Sequence, residues 1–133
     1  MNGDAAPVRY RRLWWALGLA LTLVVIVASL VPAHELPRTL LTINDKLEHI
    51  GAYFGLALWF AALFPVRSYP ALALALLALG GGIEIAQGLM GLGRTADWFD
   101  FYADAFGVAL GLGLGMAGLR HWVRWLESWA RPR

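Results

Sequence analysis

The 133-residue chain contains no cysteine, which excludes a disulfide framework and every thiolate metal site. Charge is scarce as well: Asp, Glu, Lys and Arg together make up 15% of the residues, against about 25% in soluble globular domains. An ordinary water-soluble fold is therefore a poor description. No Ser/Gly-rich linker and no low-complexity tail interrupt the sequence, so residues 1–133 read as a single domain. A basic stripe is missing too. The pI is near 9.4 and the net charge +2, but the arginines flank apolar runs instead of lining one face, which argues against nucleic acid as a partner.

What fills the chain is apolar. Hydrophobic residues reach 59%, there are 15 glycines, and the mean hydropathy is +0.59. A bilayer core of about 30 Å takes about 20 apolar residues as a helix, and four runs approach that length: residues 13–31, 46–64, 70–90 and 97–119. Pro65 closes the second, and Pro70 opens the third at a position where proline suits a first helical turn. Backbone polar groups must be satisfied internally in lipid, so the runs are read as helices. The expected fold is all-α, an integral membrane bundle of four transmembrane helices. The first run has a basic start, and Val31-Pro32-Ala33 resembles a cleavage site. Its apolar core exceeds the 7–15 residues or so of a signal peptide, however, and it is taken as a retained span.

With the N-terminus inside, Arg9, Arg11, Arg12, Arg67, Arg120, Arg124, Arg131 and Arg133 lie on the inner side and Arg38, Lys46 and Arg94 on the outer. This bias puts both termini in the cytoplasm of a multi-pass protein. Trp14, Trp15, Trp122, Trp125 and Trp129 then form an inner interfacial belt.

The outer ends of three spans carry polar residues. Lys46, His49 and Tyr53 share a helix face beside Asp45; Glu84 and Gln87 end the third run; Arg94, Asp97, Asp100 and Asp104 step by three, three and four residues into the fourth. Glu84 lies fourteen residues after Pro70, about 21 Å along a helix, and so falls inside the hydrocarbon core. Ionisable groups at that depth mark function by default. Below them the same faces turn small: Gly107, Gly111 and Gly115 continue the aspartate row, while Gly80 and Gly91 flank Glu84 and Gln87. Small residues four apart let helices approach closely. The pattern predicts a tight seam that opens into an outward-facing polar pocket.

The strings D-K-x-x-H-x-x-x-Y from Asp45, E-x-x-Q from Glu84 and G-R-x-x-D-x-x-D-x-x-x-D-x-x-G-x-x-x-G from Gly93 resemble the VanZ-like family of bacterial membrane proteins over residues 45–111. One departure is Asp104, where many members carry Asn. The resemblance implies a small multi-span protein of the bacterial inner membrane that affects glycopeptide susceptibility of the teicoplanin type.

The residues themselves allow several chemistries. Asp45, Glu84, Asp97, Asp100 and Asp104 face Lys46, Arg94 and, when protonated, His49. Such an excess of acid in a partly dry cleft is relieved by retained protons, by a bound divalent cation, or by a ligand offering positive or donor groups. Binding of a lipid-linked envelope component is the leading expectation. A second is an enzyme acting on a lipid-linked phosphate, with Lys46 and Arg94 as clamp and His49, Glu84 and Asp100 as candidate catalytic groups. No nucleophile elbow or phosphate-cradling loop accompanies them. A third is a small proton- or ion-linked carrier. Against all three stands a scaffold reading, in which the carboxylates pair with Lys46 and Arg94 to lock the helices. His49 is expected to bond Asp45 or Asp100, and Tyr53 to wall the pocket.

Overall fold

The structure, a computed structural model, describes residues 8–35, 45–91, 93 and 95–130. Among these residues every regular element is helical: α1 (Arg11–Leu30), α2 (Asp45–Ala61), α3 (Tyr69–Met90), α4 (Trp98–Met116) and α5 (Trp122–Trp129), with 3₁₀ turns at Val66–Ser68 and Leu119–His121. Helices α1 to α4 fall on the four apolar runs to within a few residues, and the punctuation explains why. After α2, Ala62 and Leu63 donate to carbonyls three residues back and tighten the chain toward Pro65. Pro70 sits in the first turn of α3. Gly91 ends α3 in the left-handed conformation, with φ 60°, which glycine adopts without a Cβ penalty. A Cβ on Gly91 would meet nothing within 4 Å, so it terminates the helix instead of packing in the Glu84–Gln87 stripe.

Two helical segments, Arg11–Leu30 and Val66–Met90, are long and apolar enough to cross a membrane. A third is reached only if Trp98–Met116 and Leu119–Trp129 act as one span, and they are bent by 77° at the break. There Gly118 takes a φ of 122°. The 17 residues of α2 measure about 25 Å at 1.5 Å per residue. They are shortened at one end by the Asp45–Lys46 start and at the other by the 3₁₀ turn.

α2 and α4 run side by side in the same direction, and glycine makes the contact possible. A Cβ on Gly107 would lie 2.5 Å from the Ile50 carbonyl oxygen and 2.9 Å from the Phe54 nitrogen; one on Gly111 would lie 2.7 Å from the Ala57 Cβ and 2.8 Å from the Phe54 oxygen. Gly115 faces Ala61 and Tyr69 in the same way. The expected seam is thus a pairing of α4 glycines with α2 backbone. α3 runs the other way across both, and α1 leans on α2 where Gly18 meets Trp59 and Phe60.

The core is apolar, built around Leu56, Phe60, Leu76, Val108 and Leu112, but it also takes in charge, and the surface is apolar as well. Glu84, Gln87, Asp100 and Asp104 are buried, while Leu19, Leu23, Val24, Leu74, Leu89, Phe99 and Phe106 are exposed. That distribution suits helices whose outer surface meets hydrocarbon. Thr22 and Ser29 of α1 return their hydroxyls to the Gly18 and Val25 carbonyls, so neither leaves an unpaired donor toward lipid.

At the end of the bundle where α1 begins and α2 and α4 finish, aromatics close the structure. Trp14 packs on Trp59 and Trp122 with centroids 5.6 and 5.5 Å away, and Trp59 meets Trp122 at 5.0 Å. Glu127 of α5 accepts from the backbone N–H groups of Arg9 and Tyr10 and from the Trp14 indole at 2.8, 3.0 and 2.9 Å. The segments preceding α1 and following α4 therefore meet at one end. Of the tryptophans expected in a belt, Trp125 and Trp129 are exposed, whereas Trp14 and Trp122 pack inward.

Candidate functional site

The opposite end gathers the polar residues. Asp97 is the N-cap of α4: its backbone is extended, and its carboxylate accepts from the Phe99 N–H at 2.9 Å. Capping satisfies an otherwise orphaned donor and fixes where the helix begins, so the charged row shares one helical face only from Asp97 onward. Lys46, in the first turn of α2, reaches across to Asp97 at 2.9 Å and also contacts Asp100. Asp45 lies 3.8 Å from the same ammonium. This ion pair is open to solvent on the Lys46 side.

One turn deeper, His49 Nδ1 is 2.7 Å from Asp104 Oδ1, and His49 Nε2 is 3.7 Å from Asp100 Oδ2. The closest partner of the imidazole is thus Asp104, in place of the Asp45 or Asp100 expected from the sequence. Helical phase puts 45, 49 and 53 near one face of α2, but the axial offset between α2 and α4 decides which aspartate is level with His49. The glycine seam sets that offset. Asp104 is 1% exposed, and a carboxylate buried this deeply needs a partner.

Glu84 enters from α3. One carboxylate oxygen, Oε2, accepts the Asp97 N–H at 2.9 Å and so joins the end of α3 to the cap of α4. Among the described residues, its second oxygen, Oε1, is buried without a hydrogen-bond partner, and the Tyr53 hydroxyl is in the same condition. Gly80 of α3 borders this interior: a Cβ there would lie 2.7 Å from Asp104 Oδ2 and 3.3 Å from the Tyr53 oxygen. The Tyr53 hydroxyl, expected to wall the pocket, thus lies beside Gly80 near Asp104. Gln87 is buried, and its amide donates to the Ser29 carbonyl at 2.8 Å, tying α3 to α1. Arg94, expected to belong to the cluster, lies outside the described residues. Glu48 is exposed and off the cluster face.

Beside the cluster runs an apolar groove of about 660 Å³ between α3 and the start of α4, lined by Leu74, Leu77, Gly81, Ile85, Trp98 and Phe101. Glu84 and Asp97 line it too, so groove and cluster are continuous. The sequence offered only a faint signal for it: residues 74, 77, 81 and 85 fall at helical spacing, which does not separate a groove wall from a lipid-facing stripe.

Two groups of side chains have the arrangement to hold a metal ion. One ligand atom from each of Asp45, His49 and Asp100, and one from each of His49, Glu84 and Asp104, lie within 4.8 Å of one another. The His49–Asp104 pair also has the form of an acid–base dyad, in which the carboxylate orients the imidazole and leaves Nε2 toward Asp100. No protein family matches the chain, and no curated protein or solved structure matches it either.

Proposed function

We propose that the protein is a VanZ-like, four-span protein of the bacterial inner membrane that binds a lipid-linked component of the cell envelope and thereby affects susceptibility to glycopeptides of the teicoplanin type. The observation that carries the binding part is the continuity of the apolar groove with the acidic cluster through Glu84 and Asp97. A groove between helices suits an acyl or isoprenoid chain, and the cluster suits the polar group attached to it. The family and antibiotic parts follow from the motifs begun at Asp45, Glu84 and Gly93. The arginine bias supports cytoplasmic termini, with the cluster at the outer leaflet.

In a Gram-positive host, wild type protects against teicoplanin and Asp100→Asn at matched membrane level does not; equal protection by both would make the aspartate scaffold. Orientation has its own test, since the chain lacks cysteine. A membrane-impermeant thiol reagent labels Thr95→Cys and spares Ser68→Cys in intact cells, and the reverse pattern would overturn the outward pocket.

The His49–Asp104 dyad favours a second reading, a membrane enzyme acting on a lipid-linked phosphate. Its mark is product formation that depends on His49. Against it, Lys46 is already engaged by Asp97 and Asp100, so its charge is largely offset before any phosphate arrives.

A further inference from the structure

The cluster contains more acid than its described bases offset. Asp45, Glu84, Asp97, Asp100 and Asp104 face Lys46 and His49, and Lys46 is drawn to the outer aspartates. Deeper in, Glu84 is 7% and Tyr53 3% exposed. Among the described residues neither Glu84 Oε1 nor the Tyr53 hydroxyl has a hydrogen-bond partner. A buried acceptor and a buried hydroxyl left unpaired beside a buried aspartate together call for a ligand that takes up lone pairs.

We infer that His49, Glu84 and Asp104 form a binding site for one divalent cation, a first-row transition-metal ion such as Mn²⁺ or Zn²⁺. The donor chemistry selects the ion: one imidazole nitrogen with carboxylate oxygens falls between the all-oxygen sets of Mg²⁺ and Ca²⁺ and the sulfur-rich sets of soft metals. The deeper group is preferred over Asp45, His49 and Asp100 because Asp45 is exposed and Asp100 is engaged by Lys46. Gly80 lets α3 lie directly against the group, since any Cβ there would press on Asp104 Oδ2. The Tyr53 hydroxyl borders the same group and can bond a carboxylate ligand or a metal-bound water.

The inference rests on the reading of this cluster as a ligand site and names what it binds. A cation would also let an acidic cluster hold the phosphate of a lipid-linked component, as carboxylate-bound metals do with phosphates elsewhere.

The test is Mn²⁺ titration of the metal-stripped full chain in detergent, followed by the electron paramagnetic resonance signal of free Mn²⁺, with Zn²⁺ as competitor. Wild type takes up one Mn²⁺ per chain, displaced by Zn²⁺. Glu84→Gln and His49→Gln bind at least about tenfold more weakly, and Glu48→Gln, exposed and off the cluster face, binds as wild type does. Gly80→Ala retains every donor and yet binds more weakly, which covers the case in which a ligand variant fails to fold; helicity and monodisperse elution report folding for each. Absence of binding by wild type, or undiminished binding by folded Glu84→Gln, would overturn the inference, and loss of binding in Asp45→Asn alone would overturn the choice of ligands. A chain that binds Mn²⁺ without protecting against teicoplanin sinks only the envelope reading, and one that protects without binding sinks only this one.

Discussion

The two ends of the bundle solve the same problem, polar groups near an apolar interior, in opposite ways. At the aromatic end the indole N–H groups of Trp14, Trp59 and Trp122 each have an acceptor: Glu127, the Trp14 carbonyl and the Leu58 carbonyl. Glu127 in turn collects three donors. His121 Nδ1 is the exception there, buried without a partner among the described residues. At the polar end the ion pairs are numerous, but among the described residues an oxygen of Glu84 and the hydroxyl of Tyr53 remain unmatched around a fully buried aspartate. An unpaired buried polar group costs about 1–3 kcal/mol. An end that exists only to hold helices together has no reason to carry such costs beside excess charge. The comparison teaches that the aromatic end is mostly self-satisfied, whereas the polar end, which combines excess acid with unpaired groups, is the candidate site.

The contrast can be broken at the seam that supports the polar end. If glycine packing, not the ion pairs, holds α4 against α2, Gly107→Ala destabilises most, by about 2–3 kcal/mol, because the new Cβ would press on the Ile50 and Phe54 backbone, which cannot rotate away. Gly113→Ala, where a Cβ meets nothing within 4 Å, is the control and lies within about 1 kcal/mol of wild type, on the stabilising side. Unfolding in mixed detergent micelles, followed by helicity, gives both values. Equal effects would mean that the seam does not set the geometry of the cluster.

A smaller effect sharpens the comparison inside the site. Asp104→Ala removes the nearest partner of His49 and costs about 2 kcal/mol. Asp104→Asn retains an acceptor at the position of Oδ1 and costs less than about 1 kcal/mol. The same unfolding measurement separates them. A loss as large for Asn as for Ala would show that the charge itself stabilises the fold, and would move Asp104 from the site to the scaffold.

Much of this arrangement was legible in the sequence because it rests on periodicity and punctuation. Apolar runs, the second closed by Pro65 and the third opened by Pro70, marked the helices, and the 3–4 spacing of Asp97, Asp100, Asp104, Gly107, Gly111 and Gly115 placed acids and seam on one face. Register between helices was not legible. Phase tells which face His49 occupies, but the depth at which α2 meets α4 follows from Cβ contacts at Gly107 and Gly111, and these chose Asp104 as the partner. The tie from Gln87 to Ser29 and the clamp on Glu127 were hidden for a related reason. Each joins a side chain to backbone N–H or C=O groups of a distant segment, and backbone partners leave no residue-type signal.

That clamp yields the smallest and most pH-specific effect. Burial pushes the Glu127 carboxyl up, but the backbone N–H groups of Tyr10 and Arg9, the Trp14 indole and the Arg9 charge together outweigh it, and the group titrates below its ordinary 4.5. A folded-state value below the unfolded one means that the unfolded chain binds more protons in the window between them, so stability rises with pH there. The contribution is complete above about pH 4.5 and is lost as the pH falls through the lowered value. Glu127→Gln keeps the shape without the charge and costs about 1 kcal/mol at neutral pH, at the low end for bonds to a charged group because the clamp is partly open to solvent. Other carboxylates titrate in the same range, so the difference between the two proteins, not either curve alone, isolates this group. Unfolding midpoints measured from pH 7 to about 3 should converge at the acid end. A gap that stays constant would show that packing of the side chain, and not its ionised carboxylate, closes the aromatic end, and the closure would then rest on the indoles alone.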